Sequence, residues 1–402
     1  MELWESSAAM EIEWVRGEEI GHGAFARICL AVPQKGKKKE KHSGRLPPLM
    51  AVKSCDLSKS VTLRNELRIF RRLGECPHVI RCFGSDVSVE GGSDVYNLLL
   101  EYAPGGSLVS EMKKRGGKLP ETEVRRYTQS ILQALRHIHR SGFVHGDIKV
   151  QNILVFPPVC GCGVAAEVKV ADFGLAREAG SSTRSTTEND GGDGVDGSGG
   201  FEWRGTPLYM SPEAVNKNEH EAPSDVWALG CAVVEMAGGR PAWDQPAGAN
   251  AYSLMLRIGV GGETPTIPQD LSEEGKDFLR KCFVKDPMKR WTAEMLLSHP
   301  FVALESRSDL WPPLPRPPSP RSHFDLFLDW DSSVQSSTAS ISPSPAPLPW
   351  EFRRHESEFD FRPLEEPENR VAIIERIQSL ACSSEMPNWE EDSDGSLWFA
   401  VK

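Results

Sequence analysis

Long apolar runs are missing. None approaches the roughly 18–20 residues of a membrane-spanning helix, so no membrane partner is expected. The first residues, MELWESSAAMEIEW, are acidic and lack the charged-then-apolar order of a secretory signal. Cysteine is sparse and scattered, nine in 402 residues, and a reducing compartment would leave these as thiols. An intracellular, soluble protein is expected, cytoplasmic, with nuclear entry left open. Cys160 and Cys162 form CGC, yet no second Cys/His pair stands at zinc-ligand spacing, and a turn of small residues is the plainer reading. Basic residues are outnumbered, 46 Lys+Arg against 57 Asp+Glu, for a net charge of -11. That balance argues against a nucleic-acid partner, which calls for a basic stripe.

What is present suits one large domain or two smaller ones plus a tail, and a 39% hydrophobic fraction is enough for a sizeable core. The acidity is unevenly placed: from Ala303 to Lys402 there are 9 Lys+Arg and 18 Asp+Glu. The boundary falls there, with residues 1–13 an extension, 14–302 a packed domain and 303–402 an acidic Pro/Ser-rich tail. Short strand-like stretches come first (EWVRGEEI, ARICLAVP, LMAVKSCDL, HVIRCFGSDV, YNLLLEY), interrupted by one helical segment over 61–73. Helical text follows: in ETEVRRYTQSILQALRHIHRSG, residues Val124, Tyr127, Ile131, Leu132, Leu135 and Ile138 form an apolar stripe and Gly142 ends it. Strands then helices imply an α+β protein of two lobes. The lysine-rich insertion 33–48 reads as a solvated hairpin loop or a nuclear-localisation patch, and 179–200 has no apolar pattern. In the tail, RVAIIERIQSLA puts Val371, Ile374, Ile377 and Ala381 on one face of a short helix near 370–381.

Several stretches carry chemistry. In IGHGAFARI (20–28), Gly21 and Gly23 let backbone N–H groups approach phosphate oxygens, although Ala26 stands where a third glycine is usual. Lys53 in MAVKS lies on an apolar strand, where a lysine is costly unless paired; it is either surface-facing or matched by Glu66 on the inner side of the 61–73 helix. In HGDIKVQN (145–152), Asp147 is suited to accept or orient a hydroxyl proton, Lys149 to steady a transferring phosphoryl group, and Asn152 to hold magnesium. VADFGLA (170–176) adds Asp172 as a second arm for a hard cation.

The ordered set of glycine loop, Lys, Glu, Asp-x-Lys-x-x-Asn, Asp-Phe-Gly and SPE (211–213) resembles the protein-kinase signature from about Trp14 to Val302. The resemblance implies a bilobal kinase fold, a strand-rich N-lobe over 14–103 and a helical C-lobe over 104–302. It implies ATP and Mg2+ as cofactors, with the nucleotide along Ile20, Gly21, His22, Gly23, Ala24, Phe25, Ala26 and Ile28. Lys53 and Glu66 would position its phosphates. Adenine would lie between Ile20, Ile28 and Ala51 above and Leu154 below, its edge read by backbone near Glu101–Ala103, with Leu100 behind it. It implies that Asp225 in SDVWALG anchors the catalytic loop, that Arg290 pairs with Glu213, and that Thr206 in GTPLYMSPE contacts Lys149 and Asp147 in a peptide groove. Lys149 favours Ser/Thr over Tyr substrates.

EWVRGEEIGHG, GTPLYMSPEA and VHGDIK are similar to the MEKK-like plant mitogen-activated protein kinase kinase kinases, and the tail to a stress- and abscisic-acid-linked subgroup. The substrate implied is a downstream protein kinase, a MAP kinase kinase. Gly146 stands where most kinases have an arginine that pairs with an activation-loop phosphate. Phosphorylation among Ser181, Ser182, Thr183, Ser185, Thr186, Thr187 and Ser198 should therefore matter less here. A catalytically dead scaffold and a small-molecule phosphotransferase, which also carries His-Gly-Asp, are the alternatives. In the tail, Ser319, Ser342 and Ser344 each precede Pro, suiting feedback phosphorylation by a MAP kinase. RSHFDLFLDW (321–330) loosely resembles a docking segment.

Overall fold

The computed structural model describes residues 12–23, 26–34, 46–158, 165–180, 204–244 and 250–303, together with Ile374 and two short strands near the C-terminus. Ala24 and Phe25, residues 35–45 of the lysine-rich insertion, Cys160–Cys162, the seven loop hydroxyls and the tail motifs lie outside the described residues. So does the helix near 370–381, apart from Ile374, which is helical.

The N-terminal half is a five-stranded antiparallel sheet of β1 (Trp14–His22), β2 (Arg27–Pro33), β3 (Met50–Asp56), β4 (Cys82–Glu90) and β5 (Ser93–Glu101), in the order β1-β2-β3-β5-β4. The strand β3 is buried on both faces, which is why its text reads as nearly continuous apolar residues rather than an alternation. One face carries a small cluster of Cys29, Ala31, Met50, Val52 and Leu99; the other packs against α1 (Val61–Leu73). This helix buries Leu63, Glu66, Leu67, Ile69, Phe70 and Leu73, the one-sided pattern of a 3.6-residue period, and stops at Gly74, whose φ of 68° suits glycine.

The C-terminal half is helical: α2 (Leu108–Lys114), α3 (Glu121–Arg140), α4 (Pro212–Lys217), α5 (Ala222–Gly238), α6 (Ala251–Gly259), α7 (Glu273–Cys282) and α8 (Ala293–Leu297). All six residues of the expected α3 stripe are buried. Side-chain caps explain several starts: Ser211, Asn250, Ser272 and Thr292 each accept from an amide of the first turn. The helix α5 is apolar nearly all round and buries eleven of its residues, Val226 to Val234 among them, so the others pack around it. Two small ribbons carry the loops: β6 (Phe143–Val144) pairs with β9 (Arg177–Glu178), and β7 (Ile153–Phe156) with β8 (Glu167–Val170). The strands β10 (Trp389–Glu391) and β11 (Leu397–Phe399) pair with each other.

Candidate active site

Lys53 projects from β3 toward α1, where its Nζ meets Glu66 Oε2 at 2.9 Å and Asp172 Oδ1 at 2.9 Å. The other Glu66 oxygen accepts the Phe173 amide at 3.0 Å, so one buried carboxylate ties β3 to the segment after β8. Phe173 then packs edge-on against His145 and tilted on Phe70, both at 4.9 Å between centroids. Burial works against the Lys53 ammonium, but Asp172 and Glu66 outweigh it and hold Lys53 charged well above the usual lysine range. Lys53 in turn, against the pull of burial, holds the Asp172 carboxyl far below the usual range. Burial raises Glu66 despite the Lys53 contact. Asp172 sits at φ 64°, a left-handed conformation costing a non-glycine residue about 1–3 kcal/mol, and its side chain stays 47% exposed.

Asp147 is more enclosed. Its Oδ1 accepts Thr206 Oγ1 at 2.8 Å; its Oδ2 takes Lys149 Nζ at 2.8 Å and Asn152 Nδ2 at 3.0 Å. Lys149 also donates to Thr206 Oγ1 at 2.9 Å, closing a triangle of carboxylate, ammonium and hydroxyl. Asn152 donates to the Asp147 carbonyl at 2.8 Å, and its own carbonyl accepts the Ala171 amide at 2.9 Å, one residue before Asp172. The Asp147 carboxylate and the segment carrying Asp172 are thus linked through Asn152.

Below this loop, Asp225 of α5 accepts the amides of His145 and Gly146 and the His139 ring, each at 2.9 Å. Burial disfavours that charge, yet His139 and these amides hold the Asp225 carboxyl below its usual range. Glu213 of α4 receives both Arg290 nitrogens, at 2.6 and 2.9 Å, in a buried two-pronged pair. Gly146 has φ 77°, and a Cβ there would stand 3.1 Å from the Leu175 carbonyl. A side chain at this position would be strained as well as crowded.

Strand register gathers the expected nucleotide-side residues. Gly21 faces Ile28 and Ile28 faces Lys53; two residues along β3, Ala51 faces Leu100. Leu154 lies on β7, bridged to Ser107 just beyond the lobe junction that contains Ala103. Ile20 is exposed and Ala51 buried. His22 is exposed beside Glu19. The Gly23 amide donates to the Ala26 carbonyl at 2.8 Å, closing the hairpin, so in this conformation it is spent rather than aimed at a phosphate.

Three features went unread in the sequence. Arg16 reaches across the sheet to Glu90, Ser54 and Asn97. Lys169 of β8 pairs with Glu101. Arg177 and Glu221 meet the start of the activation segment, with Arg177 donating to the His220 carbonyl and Glu221 accepting the Gly180 amide. Neither Arg16 nor Lys169 stands alone in an apolar strand as Lys53 does, since Glu18 and Glu19 share β1 and Glu167 shares β8, so the signal that pointed to Lys53 was weak for both.

The protein kinase domain model matches residues 14–302. The chain is 44% identical to mitogen-activated protein kinase kinase kinase 20 of Arabidopsis thaliana over 97% of its own length and 100% of that protein. It is 33% identical to mitogen-activated protein kinase kinase kinase 17 of the same plant, over 97% of this chain and 93% of the other. Mitogen-activated protein kinase kinase kinase 18 matches at 36% over 72% and 78%. The chain belongs to the serine/threonine protein kinases. As a kinase domain it uses ATP, and the contacts above all lie within the matched residues.

Proposed function

We propose that this kinase transfers the γ-phosphoryl group of ATP, with magnesium, to a serine or threonine of a MAP kinase kinase in a plant stress or hormone cascade. The observation that carries the chemistry is the joint assembly of Lys53–Glu66–Asp172 with Asp147–Lys149–Thr206, bridged by Asn152. The relatives named as kinases of this tier support the substrate class. ATP supplies the phosphoryl group, and magnesium neutralises charge on its oxygens. The donor set fits that ion: among the described residues no cluster of three or more His, Cys, Asp or Glu forms a cage, and Asp172 and Asn152 are two hard oxygen arms of the kind magnesium uses beside water and phosphate. Lys53, held by Glu66, orients the phosphates. Asp147 orients the substrate hydroxyl and takes its proton, Lys149 steadies the transferring group, and Thr206 fixes both from the substrate side.

The same reading extends to control. Gly146 offers no guanidinium, while carboxylates of the chain already grip the activation segment: Glu178 receives Arg68 and Arg72 of α1, and both Glu221 oxygens accept the Gly180 amide at 3.1 Å. Loop phosphorylation therefore adds little to the rate. A large increase on phosphorylation, abolished by alanines at the loop hydroxyls, overturns this. The kinase is taken to act in the cytoplasm, and Ser319, Ser342 and Ser344 remain the proposed feedback sites for a MAP kinase.

The test is transfer of radiolabelled phosphate by the full chain and by Asp147→Asn to inactive MAP kinase kinase, a generic basic protein and an aminoglycoside. Label on the MAP kinase kinase that vanishes in the variant is expected. No transfer to anything, itself included, overturns the enzyme in favour of a scaffold.

A further inference from the structure

The half-buried pair between Lys169 and Glu101 lies away from the phosphoryl-transfer residues, and the mechanism makes no use of it. Lys169 Nζ donates to both Glu101 oxygens, at 2.6 and 2.8 Å, while sitting 4.6 Å from the centroid of the Phe156 ring. Glu101 ends β5, where the chain leaves the N-lobe, and Lys169 belongs to β8 of the C-lobe.

The surrounding backbone gives the pair its meaning. The Glu101 amide donates to the Arg81 carbonyl at 2.8 Å, and the Arg81 amide returns to Glu101 Oε2 at 3.1 Å. One residue earlier, the Ile80 amide donates to the Val170 carbonyl at 2.9 Å, and the Val170 amide donates to His78. Glu101, Arg81, Ile80, Val170 and Lys169 therefore form a closed ring that crosses from one lobe to the other, and the ion pair is the link that closes it. In the β7–β8 ladder, Lys169 stands directly opposite Leu154.

We propose that Lys169 is a positioning residue for nucleotide: by closing this ring on Glu101 it fixes the spacing between the adenine-reading backbone at Glu101–Ala103 and the Leu154 floor. This rests on the ATP reading above. An isolated ion pair at a surface contributes little, but here one partner is gripped by a backbone amide and the other lies against a ring. The geometry acts on the adenine slot and not on Asp147 or Thr206, so nucleotide affinity should change while the chemical step does not.

The test compares wild type, Lys169→Met and Lys169→Arg as full-length chains. Steady-state KM and kcat are measured for ATP and for the protein substrate, and ADP affinity by calorimetry. Lys169→Met should raise KM for ATP and Kd for ADP about fivefold, with kcat within about twofold and KM for protein substrate unmoved. Lys169→Arg should restore both nucleotide constants. Folded Lys169→Met with unchanged ADP affinity overturns the proposal. So does a parallel loss of kcat, protein-substrate affinity and melting temperature, which assigns Lys169 a purely structural role. If wild type binds ADP but transfers nothing, the proposed function fails while the ADP comparison still decides the role of Lys169.

Discussion

Acidic side chains serve on both sides of the catalytic loop, and they are treated in opposite ways. Beneath it, Asp225 is saturated by two amides and a histidine, and Glu213 by both prongs of Arg290 and the Ser224 hydroxyl. Above it, Asp172 is held by a lysine yet remains about half exposed, and Asp147 is surrounded by groups that can exchange partners, a lysine and a hydroxyl. A carboxylate whose acceptor sites are all filled by rigid donors fixes geometry. One with mobile donors is left free to work.

Four experiments press on that contrast. The largest effect is expected on the working side: Asp147→Asn should lower phosphoryl transfer roughly 10²–10⁴-fold while leaving the melting temperature in place, read by kinetics beside a thermal melt. On the fixed side, Arg290→Met strands the buried Glu213 carboxylate and should cost about 3–5 kcal/mol in denaturant titration, with activity per folded molecule retained. An equal loss of activity per folded molecule would erase the distinction. Between the two lies His220, whose pKa falls from 6.5 to about 4 through burial first and then the Arg177 and Arg204 charges. The unfolded chain takes up the proton first, so stability is complete above pH 6.5 and drains away toward pH 4. About 2 kcal/mol should be gone by pH 5, and His220→Gln should flatten that part of the profile. The smallest effect belongs to Gly146→Ala, expected to cost about 1–2 kcal/mol through its positive φ and the Leu175 carbonyl, with transfer by Asp147 preserved.

The parts legible in the sequence were those with a local or ordered signature. The helix α1 was legible because its buried positions keep a helical period, with Glu66 the one charge among them. Glu66 was legible as the Lys53 partner because a charge on the inner face of that helix needs one. Asp225 with the catalytic loop, and Arg290 with Glu213, were legible only through resemblance, since nothing local links residues so far apart in the chain. Lys169 and Glu101 stayed hidden for a related reason. Lys169 sits beside Glu167 in a short strand and Glu101 is the last residue of β5, positions where a charged residue reads as solvent-facing, and only the approach of β8 to the lobe junction makes them neighbours. The left-handed backbone of Asp172 had no signal at all, because aspartate does not announce a positive φ as glycine does.

The burial of α5 has a consequence for how the molecule breathes. A helix enclosed on all sides cannot open without dismantling its neighbours, so its amides should trade hydrogen for deuterium only when the whole C-lobe unfolds. The helix α1 packs on the sheet by one face and shows the other to solvent, and its amides should exchange through smaller local openings. Because Asp225 rides on α5, the floor of the catalytic loop inherits the slowest exchange in the domain, whereas the Lys53–Glu66 contact inherits that of a part able to come and go.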